Sequence, residues 1–197
     1  MVSVFMTDSF RSTLLQQRLG GRNLYLVGMM GSGKSATGPH LAKELDYSFV
    51  DSDEVIEQLC GKSIQMIFDT EGEKGFRIVE SQVLNTIGQH HSLVVATGGG
   101  LATQSENWGV LHQGIVIWLD LAIDQLFLRL ESDLGDSPLL KTKNPRNVLE
   151  TMLNERQKFY LEADLHMKIN NEAPGEVAHQ ILHDLPLIFS EPGELNG

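Results

Sequence analysis

The stretch Gly28-Met29-Met30-Gly31-Ser32-Gly33-Lys34-Ser35 constrains this chain more than any other. It reads G-x-x-x-x-G-K-S and follows directly on the apolar run Leu24-Tyr25-Leu26-Val27. A strand, a glycine loop and a helix in that order make a cradle for a polyphosphate. Many donors are needed in a small space, and backbone N–H groups supply them only where no Cβ intervenes. Gly28, Gly31 and Gly33 meet that need. The segment Lys34 to Leu45 carries Ala36, Leu41, Ala42 and Leu45 at helical spacing, so its positive end points into the loop. Gly28, Gly31, Ser32, Gly33, Lys34, Ser35 and Ala36 are the candidate nucleotide-binding residues, with Lys34 reaching the β- and γ-phosphates and Ser35 able to ligate Mg²⁺. A nucleoside triphosphate is the predicted ligand.

The rest of the chain alternates strands with helices. Tyr47 to Val50 reads as a second strand that delivers Asp51 and Asp53 at its carboxyl end, where parallel sheets hold their ligands. Alternate positions of an extended chain face one way, so both carboxylates can share a site; Asp53 is equally placed to cap a helix over Glu54 to Leu59. Ser63 reads as an N-cap for Ile64, Ile67 and Phe68, and a further helix after Gly72 buries Phe76, Val79, Val83, Leu84 and Ile87. Arg77 and Glu80, three residues apart, fit a surface ion pair or a binding arginine, and spacing does not decide between them.

Leu93 to Ala96 is a strand apolar on both faces that runs into Thr97-Gly98-Gly99-Gly100. No acid stands at its end, so the carboxylate for a metal falls to Asp51. Ile115 to Leu119 and Leu165 to Ile169 are the fourth and fifth strands; Arg146 to Tyr160 and Pro174 to Leu185 are helices, the latter opening on proline. The polar stretch Glu131 to Arg146 is long for a connection and reads as a mobile lid that excludes water. The fold class is therefore α/β: a three-layer α/β/α arrangement on a five-stranded parallel sheet. Residues 1–22 read as an N-terminal extension or short helix, 23–187 as the domain with a lid at about 131–146, and 188–197 as a flexible tail.

A formal charge of −11 and a pI near 5.0 argue against nucleic acid or an anionic membrane as partner, since both need a basic face, and an anionic substrate needs locally concentrated Arg and Lys. The single cysteine, Cys60, fits a reducing, cytoplasmic setting. No run approaches the ~20 apolar residues of a membrane-spanning helix. The expected state is a monomer.

These motifs together resemble the shikimate kinase family, from about Asn23 to Leu185. The resemblance rests on the loop Gly28 to Ser35, the D-x-D of Asp51 and Asp53, Gly72-Glu73-Lys74-Gly75-Phe76-Arg77, the triple glycine, and Glu155-Arg156-Gln157-Lys158-Phe159-Tyr160. It implies a P-loop NTPase fold of the nucleoside monophosphate kinase-like kind, and transfer of the γ-phosphate of ATP to the 3-hydroxyl of shikimate. It further implies that Lys34 and Asp53 are catalytic, and that Asp53, Arg77, Gly98, Gly99, Gly100 and Arg156 bind shikimate, the two arginines on its carboxylate. Mg²⁺ would sit on Ser35 directly and on Asp51 through water.

The chain departs from the family in two places. Asp136-Ser137-Pro138-Leu139-Leu140 stands where the family has R-P-L-L, so Ser137 replaces an arginine that closes over the phosphates; Arg129, Lys141, Lys143 and Arg146 are candidates for its work. Lys158-Phe159 stands where the family often has Pro-Leu. Two other readings stay open: a small-molecule kinase of gluconate kinase type, and a kinase-like protein catalytically weakened by Ser137.

Overall fold

The computed structural model describes residues 8–133 and 142–189. Five strands, β1 (Leu24–Val27), β2 (Ser48–Asp51), β3 (Leu93–Ala96), β4 (Ile115–Leu121) and β5 (Leu165–Ile169), form one parallel sheet in the order β2-β3-β1-β4-β5. Every residue of β1 is buried, which is what a central parallel strand covered on both faces requires. The eight helices are α1 (Asp8–Leu19), α2 (Lys34–Leu45), α3 (Ser52–Cys60), α4 (Ile64–Ile87), α5 (Trp108–Leu111), α6 (Ile123–Asp133), α7 (Pro145–Tyr160) and α8 (Pro174–Asp184), counted among the described residues. They flank the sheet; α2 packs on α8, α1 and β3, while α6 packs on α7. Because β1 sits between β3 and β4, the carboxyl ends of three strands open into the crevice at the middle of the sheet.

Local chemistry explains several boundaries. Ser63 caps α4 by accepting the Met66 N–H at 3.3 Å, as its spacing predicts. Within α4, Gly72 leaves helical geometry at φ 70°, ψ 177°, so two helical segments meet there and the second turns its apolar stripe inward. Pro174 opens α8, and Glu176 accepts the Ala173 N–H at 2.9 Å.

The structure refines the sequence reading in several places. The second strand starts and ends one residue later than predicted, because Tyr47 N–H closes the α2 terminus on Ala42 O at 2.9 Å. Asp53 does not continue that strand; it lies in the first turn of α3, and Asp51 rather than Asp53 is the N-cap, accepting the Asp53 N–H at 2.9 Å. The segment before Asn23 contributes Leu15 and Leu19 to the core. Between the triple glycine and β4, two 3₁₀ turns, Leu101–Thr103 and Ser105–Asn107, lead into α5, where the sequence reading assigned no element. Of the stretch read as a lid, both flanks are helical: α6 runs through Asp133 and α7 begins at Pro145. Its centre, 134–141 with Ser137 and Lys141, lies outside the described residues, as does the tail from 190 onward.

Candidate active site

The nucleotide half is one continuous stretch. Gly28, Gly31 and Gly33 take φ of 142°, 76° and 96°, positive values that favour glycine and let the backbone turn as tightly as a phosphate cradle requires. Lys34 opens α2 and is buried, at 8% exposed. Its Nζ donates to Gly28 O at 3.0 Å and Met29 O at 2.8 Å, so the loop's own carbonyls hold the ammonium at the place a polyphosphate would take. Burial pulls its pKa down to about 8; Asp53 and Asp51 oppose that shift and Arg156 adds to it. Ser32 is buried, while Ser35 and Ala36 face solvent at the start of the helix. Ser35 Oγ donates to Asp51 Oδ2 at 2.6 Å. A hydroxyl and a carboxylate oxygen side by side, beside a phosphate cradle, are a donor set for a hard divalent cation, so these residues fit Mg²⁺.

The acceptor half is assembled from α3, α4, the turn after β3, and α7. The Gly98 N–H donates to Ser52 Oγ at 3.0 Å, which ties that turn to the start of α3. A Cβ at Gly98 would stand 2.8 Å from both Asp53 Oδ1 and Glu80 Oε1, and one at Gly100 would strike the Arg77 guanidinium. Gly99 lies against the P-loop, 3.3 Å from Met30 N by the same measure, and its carbonyl accepts from Arg156 Nη1 at 3.0 Å and Tyr160 Oη at 2.6 Å. Asp53, Arg77, Gly98, Gly99, Gly100 and Arg156 are thus gathered round one crevice beside Lys34.

Arg77 and Glu80 resolve an alternative the spacing left open. Arg77 Nη1 meets Glu80 Oε2 at 2.6 Å, and Glu80 is 1% exposed, so this is no surface pair. Glu80 is the residue that sequence reasoning missed. The signal was present, since position 80 falls on the same helical stripe as Phe76, Val83, Leu84 and Ile87. Burial raises the pKa of Glu80, with Arg77 pulling it back; burial also raises that of Asp53, reinforced by Asp51 and opposed by Lys34. Among the described residues five buried side-chain polar atoms lack a hydrogen-bond partner, and Asp53 Oδ1, Arg77 Nε and Glu80 Oε1 are three of them. Buried polar atoms are normally paired, so a cluster of orphans marks where a polar ligand belongs.

Of the cations considered in place of the lid arginine, Arg129 lies at the loop: its Nη1 is 3.4 Å from Gly31 O, and 3.4 Å from where a Cβ would stand on Gly33. Arg146 is engaged elsewhere, with Asp124 and with Glu150 at 3.1 Å.

Comparison with known proteins agrees with this geometry. The family model described as shikimate kinase matches residues 30–186. A shikimate kinase of Prochlorococcus marinus (strain MIT 9313) is 57% identical over 98% of this chain and 100% of its own length, and one of Parasynechococcus marenigrum (strain WH8102) is 59% identical over 95% and 97%. The shikimate kinase from Acinetobacter baumannii, solved in complex with shikimate, superposes with a TM-score of 0.81 at 39% identity, covering 88% of this chain and 97% of that one. A family model spanning most of the domain and full-length relatives above half identity have one reading: the chain belongs to the shikimate kinase family.

Proposed function

We propose that this protein transfers the γ-phosphate of ATP to the 3-hydroxyl of shikimate, giving shikimate 3-phosphate and ADP. The observation that carries the reading is the group of unpaired buried atoms on Asp53, Arg77 and Glu80 facing the triple glycine, one carboxylate-lined wall and one guanidinium for a small polyol acid. A gluconate-kinase-type acceptor gives way to shikimate on the family match.

Each residue has a distinct task. Arg77 and Arg156 hold the substrate carboxylate, for which a planar, permanently charged fork is suited. Glu80, buried behind Arg77, keeps that fork aimed at the crevice. Asp53 accepts the hydroxyl proton as attack proceeds; a carboxyl whose pKa is raised by burial is a stronger base than one in water. Lys34 leaves the Gly28 and Met29 carbonyls for the phosphates and offsets the charge of the transferring group. Ser35 and Asp51 would hold Mg²⁺, which supplies charge neutralisation on the phosphates when bound. Gly98, Gly99 and Gly100 let backbone approach the sugar-like ring without a side chain between them.

The reading extends to a cytoplasmic monomer; Cys60 is unpaired, and no described helix is long and apolar enough to cross a membrane. The test is a coupled assay of ADP release with saturating Mg-ATP, comparing shikimate with gluconate and other polyol acids. Turnover with shikimate highest in kcat/KM is the expected result. No turnover with shikimate, or a better acceptor in the panel, rejects the proposal.

A further inference from the structure

Tyr160 ends α7 one helical turn after Arg156, and the two side chains converge on a single acceptor, the Gly99 carbonyl, at 2.6 and 3.0 Å. Tyr160 is 1% exposed, its ring lies 5.7 Å from that of Trp118, and its hydroxyl also touches Met29 Sδ at 3.7 Å. A phenol has one proton to give. At 2.6 Å that proton goes to the carbonyl, and the thioether is a packing contact.

Both lone pairs of Gly99 O are therefore occupied, by a fixed neutral donor and by a guanidinium that the proposed function requires elsewhere. When Arg156 turns to a substrate carboxylate it abandons one of those bonds. With Tyr160 present the carbonyl keeps a partner and the glycine turn has no reason to shift. Without it, substrate binding would orphan the carbonyl, and the cost of an unsatisfied polar group would be charged against affinity.

We propose that Tyr160 is a positioning residue: its hydroxyl holds the Gly99 peptide in place so that Arg156 is free to exchange that carbonyl for the acceptor's carboxylate. The inference rests on the reading that Arg156 meets a carboxylate. Its distinctive consequence is a conditional effect. Removing the hydroxyl should hurt shikimate binding only while Arg156 is there to leave.

The experiment is a double-mutant cycle of Tyr160→Phe and Arg156→Ala in the full chain, read as kcat/KM at limiting shikimate, with KM for ATP and Tm measured on each variant. Values of kcat/KM need no saturation, so the weaker variants remain measurable. In the otherwise native protein, Tyr160→Phe is expected to lower kcat/KM for shikimate about tenfold, through KM, with KM for ATP within about twofold. In the Arg156→Ala background the same substitution is expected to change it by less than about twofold, because the carbonyl is then equally orphaned before and after binding. A merely structural tyrosine would cost the same factor in both backgrounds, or move both substrates together, and either result overturns the proposal. An Arg156→Ala protein with unchanged kcat/KM overturns instead the carboxylate role of Arg156, and the inference falls with it.

Discussion

The two halves of the crevice are built and completed in different ways. The nucleotide half is one run of eight residues in which the two side chains that would meet the phosphates and their metal already have partners: Lys34 on two loop carbonyls, Ser35 on Asp51. The acceptor half is drawn from α3, α4, the turn after β3 and α7, and it keeps buried polar atoms of Asp53, Arg77 and Glu80 without any. A half satisfied by itself must break contacts to bind. A half left unsatisfied gains contacts on binding and stands strained until it does. The comparison teaches that the same site holds a latch on one side and a vacancy in its hydrogen bonding on the other, and substitutions should tell them apart.

The largest effect belongs to Asp53→Asn. On the proposed function it removes the proton acceptor, and kcat should fall about 10²- to 10⁴-fold. Stability should move the other way. Burial raises the Asp53 pKa, so the folded state holds a proton more tightly than the unfolded state, and the stability that the protonated carboxyl contributes is lost as pH rises through the raised value and the buried carboxylate forms. The neutral amide escapes that penalty, and thermal melts at pH 7 should show Tm a few degrees higher, about 1 kcal/mol of stabilisation. A variant that is both inactive and less stable would show that the acceptor half carries no such strain.

Gly98→Ala comes next. Its Cβ would stand 2.8 Å from both Asp53 Oδ1 and Glu80 Oε1, two carboxylates that must then shift away from the crevice. The shikimate KM should rise about ten- to a hundredfold, a misplacement cost, while nucleotide affinity measured by calorimetry stays within about twofold. Equal losses on both sides would mean that the halves are not separable.

The contrast also explains what was legible before any fold was known. The phosphate loop could be read outright, because its chemistry is local: glycines, a lysine and a hydroxyl at fixed offsets between a strand and a helix. The five strands followed from apolar runs. The acceptor half is non-local, and spacing alone left Arg77 undecided. It was the family's motifs that pointed to Arg77 and Arg156, and the burial of Glu80, invisible to a pair-spacing rule, that showed why Arg77 is held inward. Capping misled the reading at Asp53, because two acids two residues apart both satisfy the N-cap preference and only the backbone turn selects Asp51. Leu15 and Leu19 were overlooked since a short, weakly periodic helix earns its place only by what it packs on.

A smaller effect sharpens the latch. The Lys34 pKa is lowered to about 8, chiefly by burial, and a triphosphate favours the protonated ammonium. Below pH 8 the charge is present with or without nucleotide, so affinity should be flat. Above it, binding must draw in a proton, and ATP affinity should fall by up to about tenfold per pH unit. Calorimetry at pH 9 in two buffers of different ionisation enthalpy should report uptake approaching one proton per nucleotide, and no uptake on binding shikimate alone. Uptake absent at pH 9 would place the ammonium outside the phosphate site.

The smallest effect is expected at Ser137, and it tests whether the latch lacks a part. This chain has serine where the resemblance implies an arginine over the phosphates, and arginines that stabilise phosphoryl-transfer charge elsewhere are worth about 10³ to 10⁵ in rate. Arg129 already stands at the loop, 3.4 Å from Gly31 O and beside Gly33, carried there by α6, whose Leu130 side chain would lie 3.5 Å from a Cβ placed on Gly31. Its bond to Gly31 O is long, so releasing it costs little. A guanidinium in that position adds positive charge to the phosphate cradle, and a second one from residue 137 would add to charge already offset. Ser137→Arg should therefore change kcat by less than about fivefold, whereas Arg129→Ala should lower kcat/KM for ATP by about 10² or more. The reverse ranking, a gain of several orders of magnitude from Ser137→Arg with Arg129→Ala nearly silent, would show that the native sequence leaves the transferring phosphoryl short of a cation.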